Sequence, residues 1–185
     1  MSRAAIENGL YAWVNAIVGI APYTASVLFA NQDFSRATKP FVSITLGQQI
    51  SIGFDDNKSA PSAVGISTIT GERKMMVTLE AYGAKGNESA TFDLLNAVLA
   101  SLEKFSVRDS LYNSGGIAVH RMENILNLTE VVDTNYEPRF ALDLIIGYKQ
   151  TDTEDVSWVK TVEIEGEMET PDETKIVGPF EVELT

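Results

Sequence analysis

The sequence contains no cysteine. That absence removes disulfides, thiolate nucleophiles and cysteine-based zinc sites together. It is compatible with synthesis in a reducing, intracellular compartment. Histidine is nearly missing as well: His120 stands alone among 185 residues. A Ser-His-Asp triad could use one histidine, but nothing in the sequence places a serine beside this one. Cations are scarce, with 14 Lys and Arg against 26 Asp and Glu, a net charge of −12. A surface that grips nucleic-acid phosphates needs clustered Lys and Arg, so this balance argues against one. No apolar run approaches the roughly 20 residues that a membrane helix needs. The N-terminal M-S-R-A-A-I-E-N-G-L has no signal-peptide core, because Glu7 and Asn8 interrupt it.

The motifs of common chemistries are missing too. There is no GxxxxGK[ST], no GxGxxG after a strand and no GxSxG. The acidic stretches D-D at 55–56 and T-D-T-E-D at 151–155 lack the glycine and distal glutamate of a calcium loop. Solvated turns explain them more simply, and no spacing singles out a carboxylate pair for acid–base work. Three N-x-[ST] sequons, at Asn57, Asn87 and Asn127, read as chance matches. No catalytic residue, cofactor or metal ligand is therefore expected.

What is present is a pattern of amphipathic elements. Hydrophobic residues make up 44% of the chain, enough for one packed domain. Residues 2–20 read as a helix capped by Ser2, with Ile6, Leu10, Trp13 and Ile17 in one stripe and Gly19 and Pro22 ending it. A strand is expected over 25–30. Another runs over 41–54, where Val42, Ile44 and Leu46 alternate with Ser43 and Thr45 and Gly47 marks a bulge. Two further strands, 64–70 and 74–82, read as joined by a tight G-E-R link. A second helix is expected from Ser89 to about Lys104, with Phe92, Leu95, Leu99 and Leu102 inward and Leu94 and Val98 widening the stripe. Residues 107–113 suggest one more helical turn. A strand at 117–125, a loop through Asn135, and strands at 139–148 and 156–166 follow.

The segment Y-E-P-R-F-A-L-D-L-I-I-G-Y at 136–148 poses a question of its own. Alternation sends Phe140, Leu142, Leu144 and Ile146 to a core and puts Arg139 and Asp143 together on the other face. Four residues span about 13 Å on a strand, so the two cannot pair directly. Each needs a partner from a neighbouring strand, a helix end or another chain. Pro138, with no amide donor, places the start of this strand at a sheet edge. Acidic, proline-containing residues 168–174 read as a linker before a last strand, in which Phe180, Val182 and Leu184 alternate with Glu181 and Glu183. That strand can pair with its own sheet or extend a neighbour's. Helix, strands, helix, strands without regular βα alternation indicates α+β: a mainly antiparallel or mixed sheet flanked by two main helices, with extended hairpins and a C-terminal strand. The expected division is a domain over 1–167 and an extension over 168–185.

The order of segments resembles the phage neck and tail terminator family. It is carried by the opening helix with Trp13, K-P-F-V-S-I-T-L at 39–46 and V-T-L-E-A-Y-G at 77–83 running into the second helix. G-G-I-A-V at 115–119, I-L-N-L-T-E-V at 125–131, the 136–148 segment and D-V-S-W-V-K-T-V-E-I-E-G at 155–166 complete it. The resemblance implies a structural virion protein at the tail–neck junction, made in the host cytoplasm. It implies a homo-oligomer, a hexameric ring, that caps the tail tube protein, stops tube growth and meets the head-completion (stopper) protein. A tail sheath is a further partner where one exists. Genomic DNA would pass through the bore without specific binding, and no membrane is involved. Each subunit of such a ring needs two different adhesive surfaces. Candidate contacts are Phe41, Val42, Ile50, Ile52, Phe54, Arg139, Asp143, Phe180, Val182 and Leu184. The alternatives are a tail tube or other tail-completion subunit, a small hydrolase using His120 or an acid pair, and an adaptor absent from finished particles.

Overall fold

The computed structural model of the chain describes residues 2–31, 37–53, 55, 57–58, 65–132, 135–155, 161–169 and 174–183. It is an α+β fold. The chain begins with α1 (Arg3–Val18), followed by β1 (Ser26–Phe29), β2 (Phe41–Ser51), β3 (Asn57–Lys58) and β4 (Ile66–Tyr82). Two helices come next, α2 (Glu88–Ser101) and α3 (Phe105–Gly115). Short strands β5 (Ala118–Met122), β6 (Leu126–Asn127), β7 (Glu130–Val132) and β8 (Asn135–Glu137) lead to β9 (Arg139–Asp155). The chain closes with β10 (Thr161–Glu169) and β11 (Thr174–Glu183). Two compact units result: Met1–Asn57 with Ile69–Asp152, and Lys58–Thr68 with Thr153–Thr185.

The larger unit is organised by the sheet order β1-β2-β4-β9-β5, with β6 also on β9 and β3 on β4. β1 runs parallel to β2, while β2–β4 and β5–β9 are antiparallel. The pairs Val42↔Ala81, Ile44↔Leu79 and Leu46↔Val77 put one face of β2 and β4 toward the core. Phe140, Leu142, Leu144 and Ile146 extend that face across β9, all at most 5% exposed. α1 packs against α2, α3 and β1. Its start is fixed by Ser2, whose Oγ accepts from the Ala5 amide at 3.3 Å. Trp13 is buried, and its Nε1 donates to Ser101 Oγ of α2 at 3.0 Å. A single tryptophan thus fills core volume and ties two helices together. Gly9 and Gly115 let α1 and α3 cross closely; a Cβ at Gly9 would lie 3.1 Å from the Gly115 Cα.

Five sequence expectations need correction. First, β4 is one uninterrupted strand, not two strands joined by a turn. Gly71 does not bend the chain. It clears space for the Asp55 carboxylate, which a Cβ there would overlap. Asp55 accepts both guanidinium nitrogens of Arg73, Nη1 at 2.6 Å, and this bonding holds its carboxyl below the usual range against the opposing effect of desolvation. Second, α2 starts at Glu88 with Asn87 as its N-cap residue, and its inward stripe is Thr91, Leu94, Leu95, Val98 and Ser101. Phe92 sits on the flank, edge-on to Phe140 at 5.6 Å. Third, the expected loop before Asn135 contains β6 and β7, and β7 pairs with β8 in a two-stranded ribbon. Fourth, the start of β9 is not a sheet edge. Gly83 N donates to Pro138 O on one side, and Leu126 and Asn127 pair with Ala141 and Phe140 on the other. Fifth, the helical turn expected at 107–113 is a full helix, α3.

The Gly47 bulge is present. Register shifts between Leu46 and Gln49, leaving one extra residue on β2. In the smaller unit, β11 pairs antiparallel with β10 of its own chain over Thr174–Glu183. Its register shifts beside Gly178-Pro179, where proline has no amide to donate.

Candidate functional site

The outer face of the β2–β4–β9 region answers the question posed by Arg139 and Asp143. On this face Phe41↔Tyr82, Ser43↔Glu80 and Thr45↔Thr78 are cross-strand pairs. Asp143 Oδ1 accepts from Thr78 Oγ1 at 2.5 Å. Arg139 Nη2 donates to Glu80 Oε1 at 2.7 Å, and its guanidinium lies over the Tyr82 ring, 5.2 Å from the centroid. Position rises on β4 as it falls on β9, so these two strands run antiparallel. Tyr82 OH donates to Glu80 Oε2 at 2.9 Å, and Phe41 stacks on Tyr82 at 4.6 Å. The result is a chain of contacts, Phe41–Tyr82–Glu80–Arg139. Burial first, and then the bond to the Glu80 carboxylate, push the Tyr82 hydroxyl up to about 12. The same Glu80 bond raises the Arg139 guanidinium above its ordinary value.

This cluster also roots the β7–β8 ribbon. Arg139 Nη1 stands 3.8 Å from Glu130, and Lys39 Nζ pairs with Glu137 at 2.6 Å. Glu130 and Glu137 face each other across the ribbon, so two cations offset a like-charge pair. Beyond this root, Val131 and Tyr136 are direct cross-strand partners and are 59% and 68% exposed.

Farther along β9 lies a cleft of about 480 Å³. Its walls include Ile52, Arg73, Tyr112, His120, Tyr148 and Lys149. His120 is the extra residue of a bulge in β5, because register shifts between Val119 and Arg121. Its imidazole lies against the Gly147 backbone, where any Cβ would overlap it. Burial raises the Tyr148 hydroxyl, partly opposed by Arg73. Glu72 and Asn113 also line the cleft, and its described lining includes no serine, threonine or cysteine. Among the described residues no group of three or more His, Asp or Glu side chains could hold a metal ion.

The candidate contacts fall in different places. Val42 is fully buried in the core, which removes it from any surface. Phe41 is half-buried under Tyr82, and Arg139 and Asp143 are engaged by β4. Ile50 and Ile52 are 57% and 42% exposed near the end of β2. Phe180 and Val182 stand opposite Ile164 and Val162 in the β10–β11 ladder. Phe54 and Leu184 lie outside the described residues. The exposed Val131–Tyr136 pair and the His120 cleft were not singled out from the sequence. Alternation around Val131 could have marked the ribbon. Nothing local marks the cleft, whose walls come from Ile52 just after β2 and from β4, α3, β5 and β9.

The sheet is backed by helices, its outer face is braced internally, and apolar side chains are exposed on the ribbon and near the end of β2. The chain matches the family model of phage neck terminator proteins over residues 4–171, and it belongs to that family. Among solved structures it is similar to the sheath/tube terminator of an extracellular contractile injection system, PVC, in its extended state. The TM-score is 0.53 at 10% sequence identity, covering 92% of this chain. This chain spans 65% of the length of that terminator. A second solved chain aligns at a TM-score of 0.38 and 19% identity, covering 78% of this chain and 92% of that one, too loosely to bear on the fold. No curated protein gives a significant sequence match.

Proposed function

We propose that this protein is a structural virion subunit that closes into a ring of six at the head-proximal end of a phage tail tube. There it ends tube growth and presents a surface to the head-completion proteins. Membership of the neck terminator family across residues 4–171 carries this reading. The role calls for adhesive surfaces and no catalytic group. The acidic balance of −12 per chain fits a bore through which DNA slides, because an acidic lining repels phosphates. Its partners on this reading are its own copies, the tail tube protein and the stopper protein, with the sheath where a tail has one.

The test is negative-stain microscopy of the purified protein, alone and with tail tubes. Discrete rings, or single caps at one tube end, are expected. Open helical tubes of this protein alone would overturn the terminator reading in favour of a tube subunit. A bore lined mostly by Lys and Arg in the assembled ring would refute the sliding argument.

A further inference from the structure

Buried tyrosines and tryptophans ordinarily find a hydrogen-bond partner for their polar atom. Trp13 keeps to this, donating to Ser101, and so does the half-buried Tyr82, donating to Glu80. Tyr148 does not. It continues the core face of β9 two positions beyond Ile146, and the residue is 7% exposed. Its hydroxyl makes no hydrogen bond to any described residue. Nor is that oxygen sealed away: among the described residues, the one enclosed side-chain polar atom without a partner is Arg139 Nε. Tyr148 lines the His120 cleft, so a packed ring presents its polar tip there.

We propose that this cleft binds an uncharged, extended segment of a partner protein, with the Tyr148 hydroxyl donating to one of its backbone carbonyls. The charges of the lining select that class. Arg73 is held on both terminal guanidinium nitrogens by Asp55. Lys149 and Glu72 both line the cleft, both are exposed, and neither makes an ion pair with a described residue. These opposite charges offset each other, so an anionic or cationic side chain would meet its own sign as well as the opposite one. A peptide amide carries a donor and an acceptor without net charge, and it has a use for the ammonium, the carboxylate and the hydroxyl alike. Ile52 and Tyr112 add exposed apolar surface to the same walls, which suits the side chains of such a segment. The volume of about 480 Å³ is of the size that takes a short stretch of chain. A nucleic-acid strand is the poorer fit, because its phosphates would face Glu72 in a chain of net charge −12. The inference goes beyond the ring reading and does not depend on it.

The test uses the full-length protein, labelled and incubated on an array of random octapeptides with both ends blocked. Bound peptides are expected to be enriched in sequences without charged residues. For the strongest of them, fluorescence anisotropy is expected to show about tenfold weaker binding to Tyr148→Phe, the loss of one hydrogen bond. Tyr112→Ala is expected to weaken it several-fold. Tyr136→Ser, which removes an exposed aromatic on the ribbon, is expected to bind as wild type does, separating the cleft from general adhesion to exposed rings. Circular dichroism establishes that each variant is folded; Tyr112 is 62% exposed, so its variant carries the test if Tyr148→Phe is not. No bound peptide above background, a preference for acidic or basic sequences, or binding undiminished in both cleft variants would each overturn the proposal. None of these results bears on the ring, which the micrographs test separately.

Discussion

Replacing Arg139 by methionine tests whether the outer-face charge is a brace for its own subunit. The substitution keeps most of the aliphatic stem and removes the cation from above Tyr82 and beside Glu80. The Arg139 and Glu80 side chains are 30% and 16% exposed, so the pair lies between two regimes. Breaking a fully buried pair costs about 3–5 kcal/mol, and an exposed pair contributes about 0.2–1 kcal/mol. Solvent screening at this exposure brings the expected loss to about 2 kcal/mol. For a chain of this size that lowers Tm by about 4–8 °C. Glu80→Gln removes the same attraction from the other side, so the double variant should lose less than the sum of the singles, by about 1 kcal/mol. Glu130, 58% exposed and 3.8 Å away, should contribute under about 0.5 kcal/mol when changed to Gln. The pH dependence follows from Tyr82. Its hydroxyl ionises near 10 in the unfolded chain and about 12 in the fold, so the folded state holds the proton longer. The stability this supplies is complete below pH 10 and is lost as pH rises toward 12. Thermal melts give the cycle, and tyrosinate absorbance should show Tyr82 titrating late, with Tyr148 also raised above the ordinary value. Additive single losses, or an Arg139→Met chain melting within about 1 °C of wild type, would refute the brace.

Three other substitutions probe the core and the cleft floor. Leu144→Ala removes a fully buried side chain from β9 and is expected to cost about 3–4 kcal/mol by denaturant unfolding, with an unchanged m-value. Trp13→Phe leaves the α1 stripe apolar but deletes the bond to buried Ser101; the expected loss is about 1–2 kcal/mol, and Ser101→Ala in the same background should add little. Gly147→Ala forces the His120 imidazole aside at a cost of about 1 kcal/mol, and His120→Ala in the same chain should recover most of that.

Periodicity made much of the larger unit legible. Ser2 followed by apolar residues every three to four positions located α1, and strict alternation from Phe140 to Ile146 located the core face of β9. Gly47 announced its bulge because glycine in an alternating strand has few other uses. The same glycine logic misled at Gly71. Gly-Glu-Arg has the composition of a turn, but the glycine serves an approaching carboxylate, and only the position of Asp55 reveals that. β6 and β7 read as loop because they are two and three residues long, below the length at which alternation is countable.

Arg139 and Asp143 mark where sequence reasoning stops. Alternation established that they share a face and cannot reach each other, so each had to find a partner elsewhere. It could not choose among a neighbouring strand, a helix end and a second chain. That choice depends on the β4–β9 register, which sets Thr78 beside Asp143 and Glu80 beside Arg139. Once those partners are in place, both charges are engaged within the subunit, although the buried Arg139 Nε has no hydrogen-bond partner there. Side chains that the fold leaves open, such as Tyr136 and Val131, and a cleft assembled out of distant segments are what remain on the surface. Such surfaces are spelled out by no local motif. This is why the chain's fold could be read from one strand's alternation while its contacts could not.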